Sequence, residues 1–205
     1  MNRNSIKKSK TWVIKIGSSI LADALSGVNL RVFRSLSEQV MQLRKKGHSV
    51  ILVSSGAIAC GMHQLGFVKK PKEIEKKQAI AAVGQITLMN HYARAFSKHG
   101  LTIAQILLTR SDIEDRKRYL NARHAIRELL KQNIIPIINE NDTVAVEEIK
   151  FGDNDNLSAL VAKLVEADLL VILSDIEGVY TANPQTNPQA VLIPLILKLD
   201  QKIES

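Results

Sequence analysis

Five short runs of nearly continuous apolar residues, at positions 11–16, 49–53, 101–108, 134–138 and 169–173, constrain this chain more than any other feature. Side chains of a strand alternate between its two faces, so a run that is apolar at successive positions has to be covered on both. The stretches between these runs carry apolar residues at helical spacing. Asn29 stands where a helix cap belongs, ahead of Phe33, Leu36, Val40 and Leu43, and Gly47 ends that pattern. Residues 73–98 form a long helical pattern through Ile80, Val83, Ile86 or Thr87, and Met89 or Asn90, closed by Gly100. Residues 119–132 place Ala122, Ile126, Leu129 and Leu130 on one side, another helix opens near Leu157, and 193–197 can begin one more element. Strand and helix in alternation predict an α/β fold whose mostly parallel sheet is covered on both faces.

Polar turns recur at one place in this scheme, directly after strands. They are Gly17-Ser18-Ser19, Ser54-Ser55-Gly56, residues 139–142 and Ser174-Asp175. In a doubly wound sheet the carboxyl ends of the strands line a single edge, where ligands bind. The densest polar stretches are Ile138-Asn-Glu-Asn-Asp-Thr143 and Phe151-Gly-Asp-Asn-Asp-Asn-Leu-Ser-Ala-Leu160. Two readings fit them: hydrogen-bonding groups that hold a polar small molecule, or Asp and Asn residues that cap helices and shape turns. Lys15, set among Val13, Ile14 and Ile16, must either reach solvent at a sheet edge or find a partner, because an unpaired buried ammonium is costly. The turn at residues 17–19 can offer backbone N–H groups to a phosphate. Neither G-x-x-x-x-G-K-[ST] nor G-x-G-x-x-G occurs in the chain, so a nucleotide site here is of another kind.

The net charge of +8 raises the question of nucleic acid. The positive residues are scattered over Lys7-Lys8, Arg44-Lys45-Lys46, Lys69-Lys70, Lys76-Lys77 and Arg116-Lys117-Arg118, and aromatic residues, only 4% of the chain, are not interleaved with them as base stacking requires. These clusters read as solvated surface, and no nucleic-acid partner is expected. No apolar run approaches the roughly 18 residues that span a bilayer, and residues 1–10 form a basic arm without a signal-peptide core. No membrane association and a cytoplasmic location are therefore expected. Cys60 is the one cysteine and reads as a small buried residue. The five histidines lack metal-ligand spacing, Ser18 and Ser19 read as turn residues rather than nucleophiles, Glu147 and Glu148 as solvated, and Asp153 fits either the site or a turn.

Eight motifs in order carry a resemblance. They are Val13-Ile-Lys-Ile-Gly-Ser-Ser19, Val53-Ser-Ser-Gly-Ala-Ile-Ala59, Ala82-Val-Gly-Gln85, Leu107-Leu-Thr-Arg-Ser-Asp112, Tyr119-Leu-Asn-Ala-Arg123, Ile138-Asn-Glu-Asn-Asp142, Phe151-Gly-Asp-Asn-Asp-Asn-Leu-Ser158 and Asp175-Ile-Glu-Gly-Val-Tyr-Thr181. From residue 11 onward the chain resembles the amino acid kinase family, and within it the glutamate 5-kinases. The resemblance implies a three-layer αβα sandwich, ATP with Mg²⁺, and phosphorylation of the side-chain carboxylate of L-glutamate, the first step of proline biosynthesis. It implies that Lys15 and Asp155 are catalytic, Lys15 on the phosphates and Asp155 as the carboxylate that organises lysines. It implies that Ser55, Asp142 and Asn154 bind glutamate, and that Lys15, Gly17, Ser18, Ser174 and Asp175 lie where ATP is held. The family carries Thr where Ser174 stands, and both supply a hydroxyl. Proline as a feedback inhibitor, a homo-oligomer and glutamyl phosphate reductase as a partner belong to the same implication. The family continues with a glycine-rich segment ending in Thr-Lys that covers the ATP phosphates, and residues 11–205 are expected to form the kinase domain short of that segment.

The chemistry agrees with this reading. A glutamate side chain, with an ordinary pKa of about 4.3, is ionised at neutral pH, so it needs positioning and positive charge rather than a protein base. Asp142 suits the substrate's ammonium group, while Ser55 and Asn154 can donate to its α-carboxylate. A module that senses glutamate or proline without catalysis is the competing reading, and acetylglutamate kinase is the competing activity within the fold.

Overall fold

The computed structural model describes residues 6, 8–21, 27–145 and 154–197 of the 205. Glu147, Glu148 and the first part of the Phe151 motif, including Asp153, lie outside the described residues, as does Lys7. The elements run β1 (Thr11–Ile16), α1 (Ser18–Leu21), α2 (Leu30–Lys45), β2 (Ser49–Ser54), α3 (Ala57–Gln64), α4 (Ile74–Ser97), β3 (Ile103–Leu108), α5 (Arg110–Glu114), α6 (Arg116–Lys131), β4 (Ile135–Glu140), α7 (Asn154–Val165) and β5 (Leu169–Leu173). The five strands form one sheet in the order β3-β4-β2-β1-β5, and every pairing is parallel.

The alternation of strand side chains sorts the core into two halves. Ile14 and Ile16 of β1, Val50 and Leu52 of β2, and Ile135 and Ile137 of β4 pack on one face against Phe33, Leu36 and Val40 of α2, with Leu88, Tyr92 and Phe96 of α4. Val13, Ile51, Val53 and Ile138 point to the other face, where Ile126 of α6 and Leu157, Val161 and Leu164 of α7 cover them. The expected three-layer αβα sandwich with a parallel central sheet is the observed architecture.

Four local features depart from expectation. The buried face of α4 is Ile80, Ala81, Gly84, Gln85, Leu88, Tyr92 and Phe96, whereas Ile86 is exposed and Val83 only partly covered. The apolar spacing misplaced this face because small and polar residues occupy the contact with α3. Strand β4 extends to Glu140, so Asn139 and Glu140 belong to the strand rather than to the turn after it. Helix α5 was not foreseen; Thr109 and Asp112 start it with a reciprocal capping box, each side chain bonded to the other's backbone N–H. Residues 193–197 form no helix or strand, and Leu192 instead bridges Tyr180 in antiparallel fashion. Asn29 does occupy the cap position of α2, though without a side-chain cap bond.

Helices α3 and α4 meet at two glycines. A Cβ at Gly84 would drive into the carbonyl of Ala57 and the amide of Gly61, and one at Gly61 would drive into the carbonyl of Ile80. Backbone lies against backbone here, and the neighbours cannot move aside as side chains could. Gly84→Ala is therefore expected to lower the unfolding free energy by about 1–3 kcal/mol, the usual cost of overpacking, in a urea titration. An unchanged midpoint would show that α3 and α4 separate at no cost.

Candidate functional site

Lys15 lies on β1, which is hydrogen-bonded to β2 on one side and β5 on the other, so it is not on an edge strand. The residue is 7% exposed, which removes the solvated-edge reading. It shares its face with Val13, toward α7, and its ammonium is ion-paired with Asp155 in the first turn of that helix. A carboxylate there also suits the positive end of the helix dipole. The pairing the sequence required is thus supplied by an element 140 positions away in sequence, from 15 to 155.

Asn154, one residue before, faces a second set of partners. Its Nδ2 lies 2.7 Å from the Ser54 carbonyl oxygen, 2.7 Å from Ser55 Oγ and 3.1 Å from Asn139 Oδ1. Two hydrogens thus serve three acceptors, one of them shared. Asn139 in turn donates from Nδ2 to Gln85 Oε1 at 2.9 Å, and its Oδ1 accepts from the Glu140 N–H at 2.9 Å. Both Gln85 and Asn139 are buried. Beneath them the Ser54 and Tyr92 hydroxyls are 2.9 Å apart, and burial pushes the Tyr92 phenol above its usual range, so that it serves as a neutral support. This chain of amides joins α4, β4, β2 and α7.

The strand ends enclose a cavity of about 400 Å³, of the size that holds small molecules. Lys15, Ser18, Ser55, Asp142 and Asn154 line it, so it brings together five of the residues singled out from the sequence. Gly56, with φ +100°, turns the chain from β2 into α3 at its wall, a conformation that favours glycine. Burial raises the Asp142 carboxyl above its ordinary range, and the Lys70 ammonium pulls it partly back. Burial also raises Glu140, helped by the charge of Asp142. Lys70 lines the cavity too, which corrects its reading as plain surface. Cys60, by contrast, is buried in the α3 side of the core, its thiol pushed up to about 11 by burial.

Other residues fall elsewhere. Gly17 donates its N–H to the Leu173 carbonyl at 3.1 Å, so the expected run of phosphate-facing amides loses its first member. Ser174 and Asp175 are exposed just past β5, where Ser174 Oγ donates to Asp175 Oδ1 at 3.1 Å, and neither lines the cavity. Sequence reasoning missed Gln85, Asn139 and Glu140 as individual site residues. The available signal was a buried-pattern position occupied by an amide, as at Gln85 on α4 and at Asn139 directly after four apolar residues.

Comparison with known proteins bears on this site. The model of the amino acid kinase family matches residues 10–204. The glutamate 5-kinases of Pelobacter propionicus and Geobacter sulfurreducens are each 52% identical to the chain over 204 residues, covering all of it and 55% of their own length. Glutamate 5-kinase 2 of Bacillus subtilis is 50% identical over 196 residues, 96% of the chain and 53% of that relative. The chain thus spans about half the length of the curated relatives it matches. Among solved structures, the product complex of isopentenyl phosphate kinase from T. acidophilum aligns with a TM-score of 0.61 at 18% identity, covering 90% of the chain and 78% of that structure. A substrate complex of isopentenyl phosphate kinase gives 0.63 at 19% identity, covering 89% and 78%. At these identities the likeness extends to the fold.

The Lys15–Asp155 pair is unevenly covered, with side chains 9% and 38% exposed. Removing the carboxylate takes the counter-charge from a lysine that is almost wholly covered, while the partial exposure of the Asp155 side relieves part of the penalty. Asp155→Ala should cost about 1–3 kcal/mol, between an exposed pair and a fully buried one. Urea unfolding of this variant beside Lys15→Met/Asp155→Ala checks the cause, since the double change should recover part of the loss. No recovery would mean that Asp155 stabilises the fold by some other route.

Proposed function

The chain belongs to the amino acid kinase family, and from that premise we propose that it carries the amino-acid-binding part of an enzyme phosphorylating the side-chain carboxylate of L-glutamate with ATP. The product would be L-glutamyl 5-phosphate, the first intermediate of proline biosynthesis. The observation that carries this reading is the match of the whole chain, at 52% identity, to proteins named glutamate 5-kinase. The cavity supports it, because Lys15, Ser55, Asp142 and Asn154 all line it, a paired ammonium and a separate carboxylate among hydroxyl and amide groups.

In this mechanism each residue has a distinct task. Asp142 receives the substrate's ammonium group. Ser55 Oγ accepts from Asn154, which leaves its own proton to donate to a substrate carboxylate. A side-chain carboxylate oxygen then bonds to the γ-phosphorus as the bond to ADP breaks, with no proton to remove. Lys15 balances the charge that spreads over the phosphoryl oxygens, and Asp155 holds the lysine in place beforehand, so little reorganisation is needed during transfer. Gly17, Ser18, Ser174 and Asp175 are the residues assigned to the nucleotide. Mg²⁺ would travel with the nucleotide phosphates and neutralise them, as it does when few protein ligands are available. Among the described residues no group of three or more His, Cys, Asp or Glu side chains could hold a metal by itself, nor is any helix long and apolar enough to cross a membrane.

Acyl phosphates hydrolyse readily, so the reading includes delivery to glutamyl phosphate reductase, in a cytoplasmic homo-oligomer. Proline shares the α-carboxylate and ammonium-type nitrogen of glutamate and would compete in the same cavity as a feedback inhibitor.

A coupled ADP-release assay with glutamate, acetylglutamate and aspartate tests the activity; turnover is expected with free glutamate, and proline should raise the glutamate requirement. Release with acetylglutamate alone would reject the assignment. Asp142→Asn should raise KM for glutamate much more than KM for ATP. In the wild type, ammonium binding needs the ionised carboxylate, so glutamate affinity should fall as pH drops through the elevated Asp142 range, beginning at a higher pH than an ordinary aspartate would give. A defect confined to ATP would place that loop against the wrong ligand. Lys15→Met should lower kcat about a hundredfold or more, and undiminished turnover would remove Lys15 from the chemistry.

A further inference from the structure

Lys70 stands in the connection between α3 and α4, well away in sequence from every motif that marked the site, yet it lines the same cavity as Lys15. The cavity has two kinds of charge. At one end Lys15 is matched by Asp155, so that end is close to neutral before any ligand enters. Across β2 from it, at the end of β4, lie Glu140 and Asp142; the charge of Asp142 adds to burial in raising Glu140, and Lys70 is near enough to be felt by Asp142. A carboxylate beside an ammonium is the complement of an amino acid's own ammonium and α-carboxylate. Two rows of charge of opposite order meet when a zwitterion enters with its nitrogen on Asp142.

We propose that Lys70 binds the α-carboxylate of the amino-acid substrate and is a specificity-determining residue of this cavity. The assignment rests on the amino-acid kinase reading above. With the ammonium on Asp142 and the α-carboxylate shared between Lys70 and the Ser55 hydroxyl, the side chain is left to extend toward Lys15, the end where phosphoryl transfer is placed. Lys70 therefore discriminates by charge at the α-carbon, while the length of the cavity discriminates by side chain. A ligand whose α-carboxylate is masked loses the Lys70 interaction and leaves the ammonium interaction intact.

The test is calorimetric titration of L-glutamate and of isoglutamine, its α-amide, into the wild-type chain, Lys70→Met and Lys70→Arg. Lys70 is exposed and sits in a connection, so these changes leave the core untouched. The wild type should prefer glutamate to isoglutamine about tenfold, the scale of a charge-assisted hydrogen bond at a partly wet site. Lys70→Met should weaken glutamate by about the same factor and isoglutamine hardly at all, so the two ligands become nearly equal; Lys70→Arg should keep most of the preference. In steady-state assays the loss should fall on KM for glutamate rather than on kcat. Equal weakening of both ligands, or a full preference retained in Lys70→Met, overturns the role of Lys70 while leaving the kinase reading in place. Absence of glutamate binding by the wild type, under conditions where the chain is folded, overturns both.

Discussion

A single ammonium in the middle of a parallel sheet governs much of this structure. Lys15 is flanked in register by Val53 of β2 and Ile172 of β5, both apolar. The charge is tolerated because the first turn of α7 presents Asp155 to it. An attraction of this kind is directional and short in range, so it demands that α7 begin at one place along the sheet. The apolar residues that follow, Leu157, Val161 and Leu164, then hold the helix there by burial. Packing supplies the affinity of α7 for the sheet, and the ion pair supplies its register.

The same helical turn carries Asn154 into the chain of amides formed by Ser54, Ser55, Asn139 and Gln85. Each bond contributes only about 1 kcal/mol net, but leaving any of these buried groups unpaired costs about 1–3 kcal/mol. The arrangement is therefore selected mainly by the penalty for disrupting it. Its consequence is that the ends of β2 and β4, the start of α7 and the middle of α4 are mutually fixed around one cavity. A site built in this way has its hydroxyl and amide groups oriented before a ligand arrives, which is what the proposed transfer between two anions requires.

The glycine crossing of α3 and α4 serves the same end from the opposite side. Because Gly61 and Gly84 let the two backbones touch, the start of α3 is held against the strand ends, with Gly56 and Ala57 forming cavity wall. Gln85, adjacent to the crossing, then reaches Asn139. Close approach of helices and reach of a side chain are parts of one geometric solution. Replacing Gly84 by a larger residue would move the anchor of the amide chain as well as the helix.

The sequence by itself determined the class of fold. Continuous apolar runs can be buried only between two layers, and each of the five expected runs is a strand, with β1 and β5 at the expected bounds. It also marked Lys15, a charge inside an apolar run, while Ser55, Asp142, Asn154 and Asp155 were singled out by the resemblance to a kinase family, since polar residues after a strand can equally be caps and turns. Tertiary structure alone decided whether Lys15 was solvated or paired, since that depended on β1 being central and on a residue far along the chain. It alone turned α4 so that Gly84 and Gln85 face inward while Ile86 faces water, because contact with another backbone outweighs side-chain hydrophobicity when the helices are this close. It left Ser174 and Asp175 outside the cavity and brought Lys70 into it. A local pattern records which residues resist burial; which of them share a cavity is set by the path of the chain through space, and that path is fixed only when all the layers have packed.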